Sequence, residues 1–264
     1  MDNTVYCVWL SRALGAANHI YRKLFLHFGN DPIRIYKETV FDGLDLRQGT
    51  VEKLLDKDLS EAIEICGSCE RSGIKIAVLG DGLYPKQLES IPDRPYVLYM
   101  KGKQCDLGAR PCVAIVGTRN ATPYGKKTTR ILARELAGCS AVIVSGLAYG
   151  IDSEAHRGCL EANGYTVAVL GCGHDRARRW DNGELLEHIA RSGMIISEYP
   201  PQMPAAKYTF PQRNRIISGL SRAVVVAQAG AKSGALITAD YAVKQGRRLY
   251  TMAGVPGDGD YAGC

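Results

Sequence analysis

The chain has 264 residues, 46% hydrophobic and 23% charged, with 33 basic against 27 acidic side chains for a formal charge of +6. That length supports one large core and a smaller one, no run reaches the roughly 20 apolar residues of a membrane span, and the start MDNTVYCVWLSRALG lacks a secretory signal. A cytoplasmic protein of two domains is expected, and its nine cysteines, odd in number and scattered as at Cys112, Cys139 and Cys159, read as reduced thiols.

Residues 1–72 carry helical periodicity: Val8, Leu10 and Leu14, then Ile20, Leu24, Phe25 and Phe28 before a Gly29-Asn30-Asp31-Pro32 break, then shorter pieces over 51–55 and 59–68. They predict a small helical domain. Between Gly73 and Gly102 the pattern turns to short extended runs, IKIAVL and PYVLYMKG, punctuated by Pro85, Pro92 and Pro95. This lead-in is expected to pair with the sheet that follows. From Cys112 apolar strands alternate with amphipathic helices, the strands falling at 112–117, 141–146, 166–171, 193–198, 223–228 and 248–254. Helices are expected to open near Tyr124, Gly150, Gly183, Arg213 and Ser233. The alternation predicts an α/β fold for residues 73–264, a parallel sheet with helices on both faces. Strand ends at Gly117, Gly146, Gly171 and Gly254 are expected to line one cleft, because ligands of open α/β sheets bind outside the carboxyl ends of the strands. The glycine-rich end GDGDYAGC reads as a truncation.

The stretch FPQRNRIISGLSRAVVVAQAGAKSGALITAD, 210–240, puts Arg213, Asn214 and Arg215 beside Phe210 and shortly after Lys207. Guanidinium forks suit phosphate oxygens, and single strands are held by a charged track with a stacking surface. Nucleic acid is therefore the first partner to consider, against the blander reading of a loop whose aromatics pack on the core. The turn Gly117-Thr118-Arg119 opens a helix, and free N–H groups at a helix start favour anions. Its spacing to Gly125 departs from G-x-G-x-x-G, and the second strand ends in Ser145-Gly146, without the acid of a nicotinamide site.

Asp152 and His156 lie four apart, as in an acid–base pair, although a dipole-complementing aspartate paired locally with the histidine explains the spacing more cheaply. Cys66-Gly67-Ser68-Cys69 sits late in an expected helix and Cys172-Gly173-His174 is far from it, so no four-ligand metal set is assembled. GAKSG, 230–234, is no P-loop, but Ser233 and Gly234 open a helix toward the cleft. No catalytic constellation or cofactor is expected.

In order, VAIVGTR, SGLAYGIDSEAH, VAVLGCG, ISEYPP, FPQRNRIISGLS and SGALITADYAVKQGR, with DGLYPKQL and PYVLYMKG before them, resemble the DNA-processing protein A (DprA/Smf) family. The resemblance implies an extended Rossmann-like fold preceded by a sterile-alpha-motif-like helical domain. It also implies binding and protection of single-stranded DNA during natural transformation and recombination, assistance of RecA loading, a homodimer, no cofactor and no catalysis. By motif, Arg119, Lys207, Phe210 and Arg213 fall on DNA-contacting positions, with Gly117, Gly146 and Gly173 shaping the pocket. Two departures stand out: Gln228 replaces a usual acid, and GCGHDRARRW lacks the usual tyrosine-proline, adding Arg176, Arg178 and Arg179 that would widen a phosphate track. A second class stays open, a nucleotide-processing enzyme of the lysine-decarboxylase-like phosphoribohydrolase group, whose PGG-x-GT-x-x-E turn and catalytic glutamate have no counterpart in AGAKSGALITAD.

Overall fold

The computed structural model describes residues 3–179, 181–254 and 258–264, so Trp180 of the arginine-rich loop lies outside the described residues. Residues 3–71 form α1 (Asn3–Leu14), α2 (Ile20–His27), α3 (Pro32–Lys37), α4 (Gln48–Leu55) and α5 (Ser60–Arg71). The Gly29-Asn30-Asp31-Pro32 break starts α3, because the Asp31 carboxylate accepts from the amides of Ile33 and Arg34 while Pro32 occupies the first turn. Leu10, Leu24, Phe25, Ile35 and Leu54 bury together with Ile74, Val97 and Tyr99 of the lead-in. Tyr96 lies stacked on both Tyr21 and Phe25, at centroid distances of 4.6 and 4.7 Å. Helical layer and lead-in thus share one core.

The lead-in supplies β1 (Lys75–Val78) and β2 (Val97–Gly102), an antiparallel pair. The alternating region then gives β3 (Cys112–Gly117), α6 (Pro123–Gly138), β4 (Val142–Ser145), α7 (Ile151–Glu161), β5 (Thr166–Leu170), α8 (His174–Ala177), α9 (Gly183–Ser192) and β6 (Met194–Ser197). It closes with α10 (Thr209–Leu220), β7 (Ala223–Gln228), α11 (Ala235–Lys244) and β8 (Arg248–Thr251). All eight strands form one sheet in the order β1-β2-β6-β5-β4-β3-β7-β8. The strands from β3 to β8 run parallel, and β2 joins β6 antiparallel. This is the expected α/β sheet, with the lead-in paired to it.

Successive strand residues alternate faces. Ala114, Val116, Val142 and Val144 pack with Ile216 and Leu220 of α10 and Ala235 and Ala239 of α11. Ile115, Ile143 and Val225 pack the other way, on Ala133 of α6 and Ile151 and Ala155 of α7. Helices therefore cover both faces. From β3 the chain builds outward through β4, β5 and β6, then returns to lay β7 and β8 on the other side. The carboxyl ends of β3 and β7 flank the crevice that such a reversal leaves.

Three local expectations need correction. Helix α10 opens at Thr209 rather than Arg213: Pro211 sits in its first turn, where a missing N–H breaks no intrahelical bond. The Thr209 hydroxyl secures the turn, donating to the Ala206 carbonyl at 2.8 Å and accepting from its amide at 3.1 Å. The short α8 lies in the arginine-rich run GCGHDRARRW, where no helix was expected. Gly146, Gly171 and Gly254 fall just beyond their strands. No disulfide links any of the nine cysteines, and no helix among the described residues is long and apolar enough to cross a membrane.

Candidate nucleic-acid interface

A cavity of about 930 Å³ opens over the carboxyl ends of β3 and β7. Its walls are the turn after β3 (Gly117 to Asn120), the start of α10 with the segment before it (Ala205 to Asn214), and the turn opening α11 (Gly230 to Thr238). Ala148 and Asp152 close one side and Asp260 another. Four basic side chains, Arg119, Lys207, Arg213 and Lys232, face two carboxylates, Asp152 and Asp260. The balance favours an anion.

Each wall has a local cause. The amide of Thr118 donates to the Gln228 carbonyl at 2.8 Å, tying the first turn to the end of β7. Oε1 of buried Gln228 accepts from the amide and hydroxyl of Thr122, at 3.0 and 3.3 Å, while the Thr122 hydroxyl caps α6 by accepting from the Gly125 amide. Gln228 thus holds the start of α6 as a neutral acceptor. The turn leaves Arg119 exposed, with its guanidinium 5.3 Å from the centre of the Phe210 ring. Phe210 is half-buried, and a Cβ placed on Gly171 would come within 2.8 Å of its ring. Lys207 and Lys232 are exposed on two different walls.

Arg213 forms part of the cavity wall at only 4% exposure. Its Nη1 donates to the carbonyls of Gly146, at 2.7 Å, and Val169, and its Nε to Oδ1 of Asn214 at 3.2 Å. Burial lowers its pKa, a shift that the charge of Asp152 opposes. Among the described residues no carboxylate forms an ion pair with Arg213. A buried guanidinium held only by neutral acceptors and facing a cavity is a seat for an anionic group. Asn214 completes that wall, its Nδ2 donating to the Gly234 carbonyl at 3.4 Å.

Of the residues expected from sequence, Gly117, Thr118, Arg119, Lys207, Phe210, Arg213 and Asn214 share this cavity. Arg215 does not. It is 1% exposed, with Nε donating to the Asp93 carbonyl at 2.6 Å, Nη1 to the Gln212 carbonyl at 2.9 Å and Nη2 to Glu198 at 2.7 Å. Its donors are spent inside the fold, which corrects the expectation that it holds phosphate. Gly146 and Gly173 also lie off the cavity lining: a Cβ on the first would strike the Arg213 guanidinium, and on the second the carbonyls of Pro200 and Pro201. Among the four glycines expected to line the cleft, Gly117 alone does so.

Asp152 is not paired with His156. Its Oδ2 accepts from the amides of Gly146 and Ala148, at 3.1 and 3.5 Å, clamping the turn after β4, while His156 Nδ1 meets the Thr166 hydroxyl at 2.8 Å. Burial raises the pKa of Asp152, with Arg213 and the amides pulling against it. The arginine-rich loop forms a separate cavity of about 450 Å³. There Arg178 is paired with Glu187 at 3.2 Å, Arg176 donates to the Gln202 carbonyl, and Asp175 shares the lining. These arginines do not widen the first cavity. Lys232 and Asp260 were absent from the expected set; the Lys-Ser of GAKSG signalled the first, and nothing local signalled the second.

A sequence model of the family described as DNA recombination-mediator protein A matches residues 75–264. The DNA processing protein DprA of Bacillus subtilis is 41% identical over 72% of this chain and 64% of its own length. The chain spans about two thirds of the length of that protein and of the Smf protein of Synechocystis, to which it is 36% identical. The X-ray structure of DNA processing protein A from Streptococcus pneumoniae superposes with a TM-score of 0.85 at 33% identity, covering 100% of this chain and 92% of that one. The structure of the Helicobacter pylori protein, described for its single-stranded DNA binding mode, matches at 0.65 and 35% identity over 72% of this chain and 86% of its own.

Proposed function

The chain belongs to the DNA recombination-mediator protein A family, and from that premise we propose that it binds single-stranded DNA across the cavity between β3 and β7. The carrying observation is the buried, ion-pair-free Arg213 set among exposed Arg119, Lys207 and Lys232 with the Phe210 ring beside them. Phosphates take the cations, and a base takes the aromatic face. The binding mode described for the Helicobacter pylori relative supports this reading. Neither contact reads base identity, so the binding tolerates any sequence. The proposal includes the roles implied by the resemblance: protection of the strand, assistance of RecA loading during natural transformation, and action as a homodimer.

The test is a titration with labelled single strands and duplexes across a range of salt, using the wild type and its Arg119→Ala and Lys207→Ala variants. Single strands should be preferred, and each substitution should reduce the slope of log affinity against log salt by about 0.7, the value for one phosphate contact on a single strand. Equal binding of strand and duplex, or binding indifferent to salt, would overturn the proposal.

A further inference from the structure

Glu198 is buried at the end of β6, where the chain leaves the sheet for the segment that carries Lys207 and leads into α10. One of its oxygens, Oε1, accepts two donors from different layers. Nη2 of Arg215 on α10 reaches it at 2.7 Å, and the amide of Ala17, in the turn between α1 and α2, at 3.2 Å. The other oxygen, Oε2, is buried without a hydrogen-bond partner. One atom therefore serves both contacts, and a shift of Arg215 with its helix changes the bond available to Ala17.

The same helix carries the cavity side chains Phe210, Arg213 and Asn214, which follow rigid movements of α10. Tyr199, the neighbour of Glu198, adds a second hold on that helix start, its hydroxyl donating to the Thr209 carbonyl at 3.2 Å. On the other side, the turn Gly15 to Asn18 carries Gly15 and Ala17 at positive φ, and its Asn18 side chain bonds locally to the Leu14 carbonyl. The Ala17 amide thus reaches an acceptor that is already engaged with Arg215 of α10.

We infer that Glu198 is a positioning residue through which occupancy of the nucleic-acid cavity and the state of the α1–α2 turn are coupled. The inference rests on the proposed single-strand binding. Coupling of this kind is reciprocal: a strand that fixes α10 tightens the Ala17 contact, and a ligand or partner that fixes the turn raises affinity for the strand.

Hydrogen exchange of the full chain, with and without an oligothymidine strand, separates the two readings. Strand binding is expected to slow exchange at 117–120 and 230–234, which line the cavity, and also at 15–20, which do not. In Glu198→Gln, which keeps the shape of the acceptor but removes the charge, and in Glu198→Ala, the protection at 15–20 should vanish while that at 117–120 persists. Strand affinity should fall by at least about fivefold, the lower end of ordinary coupling between sites. Protection at 117–120 without any at 15–20 in the wild type overturns the coupling and leaves the binding proposal standing. No protection at 117–120 overturns both. Protection at 15–20 that survives in both variants also removes Glu198 from the role.

Discussion

Gly146→Ala tests how the cavity is built. A Cβ on Gly146 would lie 2.5 Å from Nη1 of Arg213 and 2.7 Å from its Cζ, roughly 1 Å inside ordinary contact. The guanidinium has little room to yield, because Nη1 is bonded to the Gly146 and Val169 carbonyls and the side chain is 4% exposed. Moving it breaks hydrogen bonds from a charged donor, each worth about 1.5–3 kcal/mol, and overpacking alone costs about 1–3 kcal/mol. We expect a loss of about 3 kcal/mol in urea unfolding, with weaker strand binding. Arg213→Ala removes the obstacle, so in that background Gly146→Ala should cost less than about 1 kcal/mol. The coupling energy of the double-mutant cycle is the readout. Equal costs of Gly146→Ala in both backgrounds would refute the reasoning, since the clash would then lie elsewhere.

Two further outcomes follow from buried groups. Burial pushes His156 down from the ordinary 6.5 to about 3 and His174 to about 4. Below pH 6.5 the unfolded chain takes up these two protons while the folded chain does not, so their contribution to stability is present above that pH and is lost as pH falls. Each histidine contributes a slope of at most about 1.4 kcal/mol per pH unit, so the two together contribute up to about 2.7 kcal/mol per pH unit between pH 6 and 4. Urea unfolding across that range should show a shallower fall in a His156→Gln/His174→Gln variant, and an unchanged slope would contradict the burial. Phe210→Ala should weaken single-strand binding by about tenfold while leaving the salt slope unaltered, because stacking releases no counterions; a changed slope would mean that Phe210 acts by holding Arg119.

The parallel strands and a crevice at their carboxyl ends were legible because the strands are short apolar runs separated by helical periods, whereas their order in the sheet was not read from the sequence. Three of the four cations of the cavity, Arg119, Lys207 and Arg213, and its aromatic, Phe210, were legible as side-chain chemistry. Arg215 was not, and the reason is geometric. On a helix successive residues turn by about 100°, so Arg213 and Arg215 point about 200° apart and cannot face one cavity. The glycines were misread for a different reason. A glycine at a strand end signals a close approach but not what approaches, and here the neighbours come from α10 and from the Pro200–Pro201 turn, far along the chain. Asp260 reaches the cavity through another distant contact, the packing of Tyr261 against Gly254 and Tyr124.

These glycine contacts explain why the cleft resembles a dinucleotide site in outline and differs from it in chemistry. In a dinucleotide site the missing side chains let a pyrophosphate approach the backbone. Here the space above Gly146 is taken by the Arg213 guanidinium and the space above Gly171 by the Phe210 ring. The backbone just beyond β4 and β5 therefore supports a cation and an aromatic. Because both groups come from the first turns of α10, the recognition proposed above depends on how that helix is seated. The seat is made by Tyr199, by the Glu198–Arg215 pair and by Gly173, whose amide donates to the Met203 carbonyl at 2.9 Å and anchors the crossing segment. A surface assembled this way presents charge beside a flat ring, the two features on which the proposed sequence-tolerant binding of a single strand rests.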